Sequence, residues 1–434
     1  MPLRLLFQRA FGPLFATQFC GAFNDNLFKS AFMLMVAFEG RSVGGLSPGL
    51  MVNAVAAVFI LPFLLFSVTA GECADKWDKA RMTRLIKLLE VALMAFGAWA
   101  LMAHQAGAML VVVFLLGCHS TFFGPIKFAL LPQHLPDHQW SLGNGWIELG
   151  TFAAILLGTN LGGLLMAWGE PGRGGVALAV LAVALAGYGF SRHIPAAPAP
   201  DPGLSLSRNP LREAWRQLRV AAADRTLLAA MLGNSWFWCF GSVFLTQFPA
   251  YTRDTLGGTE TVVTLLWTGL ALAVGTGSLL SGLCGQGRWR WAGVSVGGAG
   301  MTLAACDLAG AQGAVAVAGS RDAGAFLHSL SGLHVLADTV LVGLFAGAYI
   351  VPLYSLIQSR TAASERARIL GTTNFLNALF MVGAALWAMA LLSRGLTIPQ
   401  LFFATGVLNA VVLAALVLGS PLLLQGLWPG AGRQ

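Results

Sequence analysis

Asp25 and Lys29 stand four residues apart in the stretch Ala22-Phe23-Asn24-Asp25-Asn26-Leu27-Phe28-Lys29. In a helix that spacing puts an acid and a base one turn apart on one face. If the segment lies in a bilayer, each charge costs roughly 2.5–3.5 kcal/mol on insertion scales, so the pair needs a reason to be there. One reason is a structural ion pair that neutralises itself. The other is a cavity, with Asp25 facing a cationic group or a coupling ion and Lys29 facing a phosphate or shifting between partners. Glu90, Glu148, Asp307 and Asp338 are further acids within or near apolar runs. Asp307 and Asp338 fall near the ends of their runs, where water and snorkelling make a charge cheap. Glu148 follows Asn144 by one turn, so both can point the same way. Lys127 follows Pro125, which would kink a helix; Lys127 is then either an anchor at the membrane surface or a cation aimed at a cavity mouth.

The elements that must position these residues follow from composition. The chain has 434 residues, 56% hydrophobic and only 10% charged, where a soluble domain carries about 25% charge. That composition argues against a soluble enzyme, a disordered chain and a secreted disulfide scaffold. Apolar runs fall near residues 11–38, 49–71, 82–103, 107–131, 145–168, 174–193, 226–250, 261–284, 291–311, 333–358, 368–392 and 399–424. That predicts an all-α membrane protein with twelve spans. The first run has the charge and hydropathy of a signal peptide but lacks a small-residue cleavage site before Asn24, and is expected to be retained as a helix. The net charge of +8 reads as topology rather than nucleic-acid binding, because the basic residues lie in short segments between runs. With the N-terminus cytoplasmic, twenty of the 26 Lys and Arg fall on that side, including Lys76, Lys79, Arg81, Lys87, Arg288, Arg366, Arg368 and Arg433. Arg41, Arg173, Arg253, Arg321 and Arg394 fall on the other. Both termini and the Pro- and Arg-rich segment after residue 193 are thus expected in the cytoplasm. The expected units are a six-helix bundle over 1–193, a linker over 194–225 and a second six-helix bundle over 226–434.

Weak repetition supports two related halves. Phe123-Gly124-Pro125-Ile126-Lys127 in the fourth span is echoed by Ile350-Val351-Pro352-Leu353-Tyr354 in the tenth, and Asn144 at the start of the fifth by Asn374 in the eleventh. Two six-helix halves joined by a cytoplasmic linker are the plan of the major facilitator superfamily, in which a midplane site is exposed alternately to each side. The loop Gly71-Glu72-Cys73-Ala74-Asp75-Lys76-Trp77-Asp78-Lys79-Ala80-Arg81 resembles that superfamily's signature. Its physical logic is a gate: Asp75 can pair with a basic group or a helix N-terminus in one state. Asp78 stands where the signature usually has glycine, which puts the tight turn in question. The bland alternative is an ordinary positively charged loop.

Other signals are weaker. Gly158-Thr159-Asn160-Leu161-Gly162-Gly163 partly matches a glycine-rich motif of drug/proton antiporters, with Thr159 in place of proline; glycines so spaced more often form a close helix-packing face. No phosphate-binding loop is present, so transport is not driven by ATP bound in this chain. No His or Cys pair has metal-ligand spacing, the six cysteines imply no disulfide framework, and His334 and Asp338 do not have the offset of an acyltransferase motif. No cofactor is expected.

Thr17-Gln18-Phe19-Cys20-Gly21-Ala22-Phe23-Asn24-Asp25-Asn26-Leu27-Phe28-Lys29 is similar to the opening of the lysophospholipid transporter family, whose hallmark is Ala-Phe-[Gly/Asn]-Asp-Asn. His119-Ser120-Thr121-Phe122-Phe123-Gly124-Pro125-Ile126-Lys127, Leu131-Pro132-Gln133-His134-Leu135, Glu148-Leu149-Gly150-Thr151-Phe152, Tyr349 to Tyr354 and Asn374-Phe375-Leu376-Asn377-Ala378-Leu379-Phe380 agree with it, so the resemblance spans nearly the whole chain. It implies a carrier that flips lysophosphatidylethanolamine, and by extension lysophosphatidylglycerol, to the cytoplasmic leaflet of a bacterial inner membrane for reacylation. Relatives are often fused to acyltransferase and acyl-activating domains; here such enzymes would be separate partners. The expected substrate residues are Asp25, Lys29, Asn24, Asn26, Lys127, Asn144, Glu148, Asn374 and Asn377. The expected gate is Gly71, Asp75, Lys76, Lys79 and Arg81. Two other readings stay open: a proton-coupled drug or small-metabolite exporter using Asp25 or Glu148, and a membrane scaffold that recruits an acyltransferase.

Overall fold

A computed structural model describes residues 2–39, 48–285, 289–311, 321–420 and 422–423. Among them the chain is helical, with one isolated bridge between Gly258 and Arg321 as the only β pairing. Arg41, Arg288 and Arg433, which entered the topology argument, lie outside the described residues.

The helices are α1 (Gly12–Glu39), α2 (Pro48–Lys76), α3 (Lys79–Met102), α4 (Ala106–His134), α5 (Trp140–Met166), α6 (Glu170–Ser191), α7 (Pro210–Ala223), α8 (Arg225–Asp254), α9 (Glu260–Cys284), α10 (Trp289–Gly310), α11 (Ala323–Leu327), α12 (Leu330–Arg360), α13 (Arg366–Leu392) and α14 (Ile398–Gly419). All but α7 and α11 are 22 residues or longer, matching the twelve apolar runs. Among the described residues, eleven are long and apolar enough to cross a membrane. The exception is α1, whose Asn24, Asp25, Asn26 and Lys29 dilute an otherwise apolar sequence. Helix α7 is a departure from expectation: the polar linker contains a helix, started by Asn209, whose side chain accepts a hydrogen bond from the Arg212 N–H at 3.0 Å, with Pro210 at the first helical position.

By contact the chain divides into two compact units: residues 1–143, 153–220 and 361–375, and residues 144–152, 221–360 and 376–434. In the first, α1, α2, α3, α4 and α6 pack around Phe28, Phe32, Met94, Met109, Leu116 and Val180, all fully buried. Helix α3 is apolar on the outside and polar within. Leu85, Leu89, Phe96 and Trp99 are exposed, whereas Lys87 and Glu90 are buried. That reversal suits a lipid surround, where exposed leucine costs nothing and charge must turn inward. In the second unit α8, α9, α10, α12 and α14 pack together, and Phe244 stacks on Phe402 with ring centroids 4.5 Å apart.

The glycines of α5 serve packing. A Cβ on Gly158 would lie 2.4 Å from the Phe23 carbonyl oxygen and one on Gly162 would lie 3.0 Å from that of Leu27. The stretch that partly matches an antiporter motif is accordingly the face on which α5 meets α1. All six cysteines are free thiols.

Candidate functional site

Helix α1 carries the polar residues at its middle. Asn24 is fully buried; its Nδ2 donates to Glu90 Oε1 at 3.1 Å and to the Val180 carbonyl at 3.0 Å. On the next position Asp25 is also buried, and its Oδ2 accepts a short hydrogen bond from the Ser120 hydroxyl of α4. Its other oxygen, Oδ1, has no hydrogen-bond partner among the described residues. Among the described residues no direct ion pair joins Lys29 to Asp25. Its ammonium lies over the ring of Phe59 in α2, 3.8 Å from the centroid, a cation–π contact worth about 2 kcal/mol when desolvated. The two charges lie within electrostatic reach of each other, but their closest contacts are with Ser120 and Phe59. Asn26 bonds its own helix, donating to the Ala22 carbonyl at 2.7 Å.

Behind this row sits a cluster of charges that the sequence did not single out. Glu90 Oε2 is 2.5 Å from Lys87 Nζ and 3.0 Å from His119 Nε2, and all three residues are buried. Lys87, counted from the sequence among the charges that set orientation, is in fact an interior residue of α3 with no accessible surface. Room for its ammonium comes from Gly21: a Cβ there would lie 2.6 Å from Nζ. The spacing Lys87-x-x-Glu90 was the available signal, since it sets opposite charges on one helix face. His119 stands next to Ser120, so one turn of α4 delivers a partner to both Glu90 and Asp25.

The expected residues of later helices are placed as follows. Lys127 is half-buried with its ammonium 4.9 Å from the Phe128 ring centroid. Asn374 lies against α4, so that a Cβ on Gly124 would come within 2.7 Å of its Nδ2. In the second unit Asn144 is fully buried and exchanges two amide hydrogen bonds with Gln358, at 2.8 and 3.0 Å, besides donating to Ser355 at 3.2 Å. This reciprocal pair ties α5 to α12 and spends the amide on the protein. Glu148, one turn on, is also buried. Asn377 accepts from the Ser235 hydroxyl at 2.9 Å. An apolar cavity in this unit is lined by Phe152, Phe237, Trp238, Phe244, Leu270 and Met381, among others.

Of the two acids near run ends, Asp338 is buried and Asp307 exposed. His334 Nε2 is 3.1 Å from Asp307 and 3.4 Å from Asp338. The three could in principle ligate a metal ion. No spacing rule could show this, because α10 supplies one member and α12 the other two.

At the end of α2 Asp75 is completely buried. Its Oδ1 accepts from the Ala367 N–H at 3.1 Å and its Oδ2 from the Arg368 N–H at 3.0 Å, with the Arg368 Nε at 3.4 Å and Lys79 Nζ at 4.0 Å. Ala367 and Arg368 open α13, so a carboxylate caps a helix N-terminus and meets its dipole. The crossing is close because two glycines face each other. A Cβ on Gly71 would stand 2.5 Å from the Ala367 carbonyl oxygen, and one on Gly371 would stand 2.4 Å from that of Ser67. Gly71→Val is expected to lower stability by about 1–3 kcal/mol, the usual cost of overpacking, checked by thermal unfolding in detergent. Asp78 resolves its own question: with φ −61° and ψ 119° it caps α3, accepting from the Arg81 N–H at 2.8 Å, so no glycine is required. Its Oδ2 also accepts from the Ala197 N–H at 3.2 Å. Lys76 is half-buried and the Arg81 side chain is exposed.

Comparisons with known proteins agree with this architecture. The profile of the Major Facilitator Superfamily matches residues 14–385. Among curated relatives, a lysophospholipid transporter of Cronobacter sakazakii is 26% identical over 374 residues, covering 83% of each chain. One of Escherichia coli is 25% identical over 381 residues, again covering 83% of each. Among solved structures, the human organic anion transporter TETRAN aligns over 94% of this chain and 99% of its own, with a TM-score of 0.68 and 16% identity. The Escherichia coli fucose:proton symporter aligns over 94% and 98%, with a TM-score of 0.66 and 12% identity. The profile match covers most of the chain and the folds agree across its length. The chain belongs to the Major Facilitator Superfamily and is a multi-pass membrane transporter rather than an enzyme.

Proposed function

We propose that the cargo is a lysophospholipid, carried by alternating access to the cytoplasmic leaflet of a bacterial inner membrane, where separate enzymes reacylate it. The observation that carries this reading is the arrangement on α1. Asp25 and Lys29 sit one turn apart without a direct ion pair among the described residues: one carboxylate oxygen is buried with no hydrogen bond there, and the ammonium rests on an aromatic ring. An unsatisfied buried carboxylate oxygen is costly, and a zwitterionic headgroup would relieve it. The ethanolamine ammonium goes to Asp25 and the phosphate to Lys29. The buried Glu90–Lys87–His119 cluster holds Asn24 and the neighbouring turn of α4 in place. Similarity to two named lysophospholipid transporters supports the same cargo.

The reading is tested by uptake of labelled lysophosphatidylethanolamine into spheroplasts that lack their own transporter. Uptake above the empty vector is expected. No uptake, together with drug resistance on expression, would favour a proton-coupled drug exporter instead.

In this scheme Asp75 and its cap on α13 form the latch of the cytoplasmic gate, with Gly71, Lys76, Lys79 and Arg81 beside it. Asp75→Ala removes a helix cap worth about 0.5–2 kcal/mol and shifts the balance between the two access states. The transport rate should fall several-fold with headgroup preference unchanged, as read from initial uptake rates of two lysophospholipids. An unchanged rate would leave the loop with a structural role only.

A further inference from the structure

Helix α7 has two faces of different character. The inner face consists of Glu213, Ala214, Gln217 and Ala221, all buried. The outer face presents Leu211, Trp215 and Val220, exposed by 67%, 58% and 40%, among the exposed arginines 208, 212, 216 and 219. Arg208, Arg212, Arg216 and Arg219 recur at helical spacing, and the Arg219 guanidinium lies 5.4 Å from the Trp215 ring. The one acid between residues 208 and 223 does not reach that face. Glu213 is turned inward, bonded by Arg216 at 2.6 and 2.8 Å and by Gln217 at 2.6 Å. Burial alone would raise the Glu213 pKa, but these bonds outweigh it and hold the carboxyl below its ordinary value. The outer face therefore combines cations with exposed apolar side chains and carries no anion.

The place of α7 follows from the residues just before it. The Ser207 N–H donates to Glu72 Oε1 at 3.0 Å, which fastens the segment leading into α7 to the end of α2, where that span leaves the apolar region. A helix at that level, with arginines flanking a tryptophan and a leucine, has the composition of one lying in a membrane interface. A purely solvated helix would have no use for Leu211 and Trp215, and a protein partner would be expected to meet some acid on this face.

We propose that α7 docks on the bilayer surface and binds the anionic phospholipid headgroups of the leaflet on its own side. Leu211 and Trp215 enter the headgroup region, while Arg208, Arg212 and Arg219 take the phosphates. The surface is separate from the cargo site, and it would anchor the segment joining α6 to α8 as the protein changes state.

The test uses the whole protein in liposomes of phosphatidylcholine with a minority of phosphatidylglycerol. The photoreactive substitution Trp215→p-benzoylphenylalanine reports its neighbours by mass spectrometry of the adducts. One arginine held near an anionic surface favours it by about five-fold, so the ratio of phosphatidylglycerol to phosphatidylcholine adducts should exceed the bulk ratio by at least about five-fold. The excess should shrink with added salt and in the triple variant R208Q/R212Q/R219Q. The same label at the exposed Leu89 of α3 should report the bulk ratio. Adducts at position 215 in the bulk ratio, or adducts only to protein, would overturn the proposal. Salt dependence in the otherwise unaltered protein decides the matter even if the triple variant does not fold.

Discussion

Asp25→Asn is expected to reduce lysophosphatidylethanolamine uptake by about 30-fold or more while the protein still inserts and folds. Removing one partner of a desolvated charge pair costs about 2–5 kcal/mol of binding, and each 1.4 kcal/mol is about ten-fold. Asparagine keeps the size of the side chain and can still accept from the Ser120 hydroxyl, so the local packing survives. Stability should be unchanged or slightly raised, because a buried charge is lost together with its desolvation cost. The effect should depend on the headgroup. Lysophosphatidylglycerol, which lacks the ammonium, should lose much less, whereas Lys29→Gln should impair both because both carry the phosphate. Uptake rates of the two lipids by the two variants check this, and equal losses in Asp25→Asn would remove its assigned contact.

The largest effect on stability is expected at Glu90. Glu90→Gln leaves Lys87 inside the protein with no accessible surface and without its anion. Breaking a buried pair in this way costs about 3–5 kcal/mol. The isosteric amide also alters the 3.0 Å contact with His119 and weakens the bond from Asn24. The double variant Lys87→Met/Glu90→Gln should recover much of the loss, since neither charge then remains to be solvated. Unfolding in detergent measures both. Equal stability of wild type and Glu90→Gln would mean that the cluster is hydrated or screened in a way its geometry denies.

These variants also show what the sequence could reveal. The twelve apolar runs correspond to long helices because apolar length is a local property, countable along the chain. The capping role of Asp75 was legible for a similar reason: a carboxylate near a helix end, among cations, has few things to do, and Asp75 caps the start of α13; that this loop is a gate belongs to the proposal. Its partners were not legible. Ala367 and Arg368 are nearly three hundred residues away, and two facing glycines at the crossing decide that they meet.

Asp25 and Lys29 were readable as a pair by spacing, but spacing alone cannot tell an ion pair from two groups turned to different partners. That choice was made by Ser120 and Phe59 on other helices. Lys87 misled because a basic residue near a loop counts toward orientation whether it faces water or the interior. Asn144 misled in the opposite sense: an amide inside a span suggests a ligand contact, yet Gln358 has the matching donor and acceptor and uses both. Helix α7 was hidden by composition. Four arginines and several prolines read as a polar linker, and only the three- and four-residue spacing after Pro210 marks a helix.

The central claim is tested most directly with the purified protein in liposomes, following movement of labelled lysophosphatidylethanolamine between leaflets. Saturable movement that exceeds protein-free liposomes and falls by about 30-fold or more in Asp25→Asn is the predicted result. Movement no faster than in protein-free liposomes, from protein shown to be folded by its unfolding transition, would contradict it.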